Sequence, residues 1–151
     1  MKLVSLKDTQ NLSKKISKLI KNGDLIFLYG EIGVGKTSFV RFLINHLEVK
    51  NGIKKSDILS PTFNIVYDYE IKRLKIFHYD LYRLKNSKDI SELAIFEDLE
   101  KSLKIVEWPE LIKTKPKNRI DILFKYSKSI NSREVNIVGQ GKWKDCKLDE
   151  I

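Results

Sequence analysis

A single cysteine, Cys146, in 151 residues leaves no partner for an internal disulfide. The chain is therefore expected to fold by packing alone, in a reducing compartment, and is read as cytoplasmic. The longest clean apolar run is residues 25–29, far short of the roughly 20 residues a membrane-spanning helix needs. Near the N-terminus only Leu3 and Val4 precede Ser5, Lys7 and Asp8, so neither a signal peptide nor a membrane association is expected. With three prolines, seven glycines and 42% hydrophobic residues, collagen-like, low-complexity and wholly disordered readings are excluded. Histidine is scarce too. His46 and His78 have no second histidine or cysteine at ligand spacing, so no zinc site is expected and both read as structural. Arginine occurs five times against 24 lysines. The formal charge of +9 would steer polyanions, but a diffuse lysine excess is a weak sign of a phosphate or base reader, which tends to concentrate arginine.

What is present fits one α/β domain. Residues 8–22 carry Leu12, Ile16, Leu19 and Ile20 at helical spacing, with Asp8 or Thr9 placed to cap and Gly23 to stop. Residues 24–29 form an apolar run between glycines, as expected of a central strand buried on both faces. A helix is expected over 36–47, then an antiparallel hairpin from strands at 63–70 and 74–80. Asn86 or Ser87 could cap a helix bearing Ile90, Leu93 and Ala94, which Phe96, Leu99 and Leu103 either extend or follow with a second short helix. Further strands are expected at 104–107, 119–126 and 134–139. The sheet should therefore be mixed and partly antiparallel, flanked by helices. Residues 141–151 show no period and read as a loose tail on a single domain spanning 1–151.

The most informative segment is 30–37, Gly-Glu-Ile-Gly-Val-Gly-Lys-Thr, which fits G-x-x-x-x-G-K-[ST] between a buried strand and a helix. Glycines let backbone N–H groups wrap phosphates, and the helix N-terminus adds partial positive charge. Lys36 is suited to the β and γ phosphates and Thr37 to Mg²⁺. Such a site needs a carboxylate at a strand end. Asp80 and Glu107 both qualify, and spacing does not rank them. Thr62, in Ser-Pro-Thr-Phe at 60–63, is placed to sense a γ-phosphate or position water, with ordinary turn chemistry as the alternative. Trp108 is a core anchor or a stacking surface, and Cys146 has no activating neighbour in sequence.

Four segments in order, 30–37, Ser-Pro-Thr-Phe at 60–63, His-Tyr-Asp-Leu-Tyr-Arg-Leu at 78–84 and Val-Glu-Trp-Pro-Glu at 106–110, resemble the TsaE (YjeE) family of small bacterial P-loop ATPases. The resemblance covers nearly the whole chain, although beyond about residue 112 only length and strand character match. It implies a P-loop fold that binds ATP and Mg²⁺ and hydrolyses ATP slowly without its partners. Those partners would be TsaD and TsaB, which modify the adenosine beside the tRNA anticodon with a threonylcarbamoyl group. Any contact with tRNA would be indirect. By the same resemblance Gly33, Val34, Gly35, Lys36 and Thr37 form the phosphate cradle, with Ser38 following as a further nucleotide-binding residue. Thr62 matches a switch-like threonine. Asp80 and Glu107 match acidic residues, Glu107 as a metal ligand or water-orienting group, and Trp108 belongs to the same motif. Thr9 matches a threonine before the first helix that lies near the adenine. Ile32, Val34 and Tyr79 depart from the commoner Leu, Ala and Phe but keep their apolar character.

Two alternatives remain: a nucleotide-gated binding module in which hydrolysis is incidental, and a small-molecule P-loop kinase. The kinase would need an arginine-rich lid, which five scattered arginines do not supply. A GTPase is disfavoured because residues 86–89, Asn-Ser-Lys-Asp, have the wrong order for the guanine signature.

Overall fold

The structure, a computed structural model, describes residues 1–128 and 132–146. Seven strands form one sheet: β1 (Lys2–Leu3), β2 (Leu25–Tyr29), β3 (Val66–Ile71), β4 (Leu74–Asp80), β5 (Leu103–Glu107), β6 (Arg119–Tyr126) and β7 (Arg133–Gln140). Their order is β1-β7-β6-β2-β5-β4-β3. The inner four, β6, β2, β5 and β4, run parallel, whereas β3, β7 and β1 pair antiparallel at the flanks. The expected mixed sheet is therefore observed. The two-residue β1 was not expected, being too short to show a period.

β2 is the middle strand, and its residues Leu25 to Leu28 are at most 1% exposed. Both faces of the sheet are covered, which is why this stretch reads as unbroken apolar sequence rather than alternation. On one face Ile26, Leu28, Ile105, Ile120 and Ile122 pack with Leu12 and Ile16 of α1 (Leu6–Ser17) and with Phe39, Val40, Leu43 and Ile44 of α2 (Lys36–Lys50). On the other, Leu25, Phe27, Tyr79 and Val106 pack with Ile90 of α3 (Ser87–Glu92), Ile95 and Ile112.

The first helix begins and ends earlier than its apolar spacing suggests. Ser5, not Asp8 or Thr9, is the N-cap: its hydroxyl accepts from the Asp8 N–H at 3.2 Å, while the Asp8 carboxylate accepts from the Ser5 N–H at 2.9 Å. This reciprocal capping box satisfies two of the free donors at the helix start. Hydrogen bonds from the Val4 N–H and from Ser5 hold the Asp8 carboxyl below its ordinary value. Ser5→Ala should lower stability by about 1 kcal/mol, read as a lower urea midpoint with an unchanged slope. At the other end the chain tightens, with Leu19 N–H bonded to the Ile16 carbonyl at 2.9 Å, so Leu19 turns outward while Ile20 stays in the core.

Two other segments are decided by the structure. Of the two readings open for the stretch after Asn86, extension as one helix is the one not taken, because Ala94 and Asp98 both take left-handed backbone (φ 49° each). A separate 3-10 turn covers Leu99–Lys101, and Leu103 opens β5. The segment read as a loose tail starts with a 3-10 turn, Gly141–Trp143, that seats Trp143 in the main core at 8% exposure. Residues 147–151 of that segment lie outside the described residues.

Candidate functional site: a glycine loop facing two strand-end carboxylates

Parallel pairing builds this site. In register, Leu28 of β2, Glu107 of β5 and Asp80 of β4 lie side by side, and residues paired across a parallel ladder point to the same face. That face is the one covered by α2. Two acids 27 positions apart in sequence thus stand together beneath the loop that joins β2 to α2.

The loop needs glycine at two points for different reasons. Gly30 has φ 133°, and a Cβ there would lie 2.4 Å from the Phe124 carbonyl oxygen of β6. Gly35, the N-cap of α2, has φ 117° with open space around it. Gly30→Ala should therefore disturb the β2–β6 pairing itself and cost about 3 kcal/mol. Gly35→Ala meets only backbone strain, and its effect should fall on ligand binding more than on the denaturation midpoint. Equal loss of stability in the two variants would contradict this assignment.

Lys36 is 4% exposed. Its ammonium donates to the carbonyls of Gly30 at 2.5 Å and Glu31 at 3.0 Å and lies 3.8 Å from the centre of the Trp108 ring. Burial pulls this group below the ordinary lysine value, while the charges of Glu107, Glu110 and Asp80 act in the opposite sense. Trp108 holds its place with a left-handed backbone, φ 59°, and Tyr82 packs on it with ring centres 4.9 Å apart. The ring is neither purely core nor free: one face carries the ammonium.

The two carboxylates are nearly buried, Asp80 at 3% and Glu107 at 2% exposure. The Thr62 hydroxyl donates to Asp80 Oδ2 at 2.6 Å, and the Tyr82 N–H donates to Oδ1 at 3.0 Å. Ser60 Oγ lies 2.8 Å from the Thr62 hydroxyl. The Thr37 hydroxyl donates to Glu107 Oε2 at 3.0 Å, and His78 Nε2 stands 2.8 Å from Oε1. Thr37–Glu107 and Thr62–Asp80 are therefore two hydrogen-bonded pairs whose acids stand in register, with Lys36 and Trp108 beside them. They line a cavity of about 260 Å³ with Ser38, Gly33 and Gly35.

A second cavity, about 310 Å³, abuts the first across Gly33, Gly35 and Ser38 and is lined by Thr9, Val34, Ser5 and Arg133. Thr9 is inside α1 rather than before it, but it does reach this space. Every residue expected from sequence to bind nucleotide, metal or water thus lines one cavity or the other. His78 and Tyr82 were missed as site residues. The available signal was strand parity: His78 is two residues before Asp80 and so shares its face.

The residues fit a nucleotide with a hard cation. Among the described residues no group of three or more His, Cys, Asp or Glu could hold a metal alone. One or two carboxylates, a threonine hydroxyl and phosphate oxygens together are the donor set Mg²⁺ prefers.

A central parallel strand, a glycine loop with its lysine and threonine, and a helix starting at that lysine define the P-loop NTPase class. Residues 3–135 match the sequence model of the family described as "Threonylcarbamoyl adenosine biosynthesis protein TsaE", and the chain belongs to this family of P-loop ATPases. It is 40% identical over 111 residues to the tRNA threonylcarbamoyladenosine biosynthesis protein TsaE of Rickettsia prowazekii, covering 74% of each chain. The corresponding protein of Aquifex aeolicus is 40% identical over 108 residues, 72% of this chain and 74% of that one. In structure the chain is similar to YdiB of Bacillus subtilis, with a TM-score of 0.77 and 26% identity over 99% of this chain and 90% of the other. Among the described residues no helix is long and apolar enough to cross a membrane.

Proposed function

We propose that the chain acts in tRNA threonylcarbamoyladenosine biosynthesis as a Mg²⁺-dependent ATPase, slow alone and stimulated by TsaD and TsaB, whose turnover it sustains. One observation carries the reading: Lys36, Thr37, Glu107, Asp80 and Thr62 converge on one cavity at the start of α2. Family membership supports the pathway.

In this reading Lys36 leaves the carbonyls of its own loop for the β and γ phosphates, while loop N–H groups and the start of α2 hold their oxygens. Thr37, with Glu107 and Asp80, would hold Mg²⁺, which when bound neutralises charge building on the phosphates. Thr62, donating to Asp80, is placed to orient water or register the γ-phosphate. The cavity bordered by Thr9 would take the base, adenine by resemblance. Tyr82 and Trp108 wall off one side of the site. Contact with tRNA would pass through the partners, and the cytoplasm would be the place of action.

The test is phosphate release from ATP with Mg²⁺, with the protein alone and with purified TsaD and TsaB. Strong stimulation by the pair is the expected result. ATP binding without release in either mixture would replace the reading with a nucleotide-gated module, and transfer of phosphate to a small acceptor would replace it with a kinase.

A further inference from the structure

His78 is fully buried in β4, yet it has one polar partner. Nε2 lies 2.8 Å from Glu107 Oε1, and Nδ1 is buried with no hydrogen-bond partner. A histidine placed only for packing would be replaced at lower cost by an apolar residue, because an unpartnered buried nitrogen is unfavourable. The arrangement makes sense if the Nε2 contact serves something else.

An ionised carboxylate can only accept hydrogen bonds, so the proton of this contact belongs on His78 Nε2. The bare nitrogen is then Nδ1, leaving a lone pair rather than an N–H without a partner, which is the less costly of the two orphans. Glu107 is thereby gripped from both sides, by the imidazole at Oε1 and by the Thr37 hydroxyl at Oε2. The imidazole comes from the sheet and the hydroxyl from α2. Without the first grip only the Thr37 hydroxyl would restrain the carboxylate about its last torsion, which is broad for glutamate.

We propose that His78 is a positioning residue for the hydrolysis reaction: its Nε2–H fixes the Glu107 carboxylate in the orientation that presents Oε2 to Thr37 and to the nucleotide site. Partners of this outer kind act through the residue they hold, and their loss costs about 10–100-fold in activity or metal affinity. The inference rests on the ATPase reading above, and two measurements separate its failure from that reading's.

The first needs no hydrolysis. In the free protein, long-range proton–nitrogen NMR of the imidazole should show the proton on Nε2 and a bare Nδ1. A ring protonated on Nδ1, or one averaging between the two forms, overturns the proposal. The second is kinetic, using the full chain with TsaD and TsaB. His78→Leu fills the space and removes the donor, so stimulated kcat should fall about 10–100-fold while ATP affinity and the thermal midpoint stay close to wild type. His78→Gln, which can place an N–H near the position of Nε2, should recover most of the lost rate. A fully active His78→Leu, or equal loss in both variants, overturns the proposal. If wild type itself shows no hydrolysis, the ATPase reading fails and takes the kinetic role of His78 with it, while the NMR result still decides whether Nε2–H holds the Glu107 carboxylate.

Discussion

Glu107→Ala should reduce partner-stimulated ATP hydrolysis by about 10² to 10³-fold, equivalent to roughly 3–4 kcal/mol on the barrier, while leaving most of the nucleotide affinity in place. The split follows from where the contacts are made. In the proposed reading, ground-state binding is carried by the backbone N–H groups of the loop and of the start of α2 and by the Lys36 ammonium, none of which is hydrogen-bonded to Glu107. The carboxylate, by contrast, is within hydrogen-bond reach of Thr37 and in register with Asp80, where the proposed reading has charge and water organised during reaction. The substitution also leaves His78 Nε2 and the Thr37 hydroxyl without their partner. Glu107→Gln should lose comparable activity with less structural disturbance, because it keeps the shape of the group. Single-turnover hydrolysis and calorimetric titration with a non-hydrolysable ATP analogue read the two quantities separately. Unchanged stimulated hydrolysis in Glu107→Ala would remove this residue from the mechanism.

Lys36→Ala should have the opposite profile, with loss at the binding step itself. A charge-assisted hydrogen bond to phosphate contributes about 1.5–3 kcal/mol, so affinity for ATP should drop roughly 10- to 150-fold and hydrolysis should become undetectable. A second effect adds to this one. In the present structure the Lys36 ammonium sits near Glu107, Glu110 and Asp80, and removing it leaves the acids without that cation where phosphates must approach. The free protein should tolerate the change, since the carbonyls of Gly30 and Glu31 and the Trp108 face lose a partner but no apolar core is opened. A variant that binds ATP as wild type does would contradict the placement of the phosphates on this loop.

Both profiles depend on a site assembled from distant pieces, and its parts were unequally visible beforehand. The loop at 30–37 could be read directly because its chemistry is local: spacing, glycine content and the flanking strand and helix lie within one stretch of chain. Asp80 and Glu107 were recognisable only as acids at strand ends. That they are neighbours depends on β4, β5 and β2 being adjacent and parallel, and no local period carries strand order. Thr62 could not be separated from turn chemistry by its spacing, and its link to Asp80 appears only when residues 60–63 fold across the end of β4. His78 read as core, and by burial it is. Its contact with Glu107 needed the third dimension. Likewise the N-cap at Ser5 was displaced from the expected position by a reciprocal bond with Asp8 that apolar spacing does not register.

What the sequence determined by itself is therefore whatever short-range chemistry encodes: a buried central strand, a phosphate-binding loop with its lysine and threonine, two helices to cover the sheet, and a family signature in four short segments. What the tertiary structure alone decided is which side chains meet. Strand order and register placed Asp80 beside Glu107 and put His78 behind it. The left-handed turn at Trp108 laid an aromatic face under Lys36. The last described turn brought Trp143 into the core. The physical reason is the same in each case: contacts between segments far apart in the chain are selected by the joint packing of two core faces, and no single segment holds enough information to specify its partner.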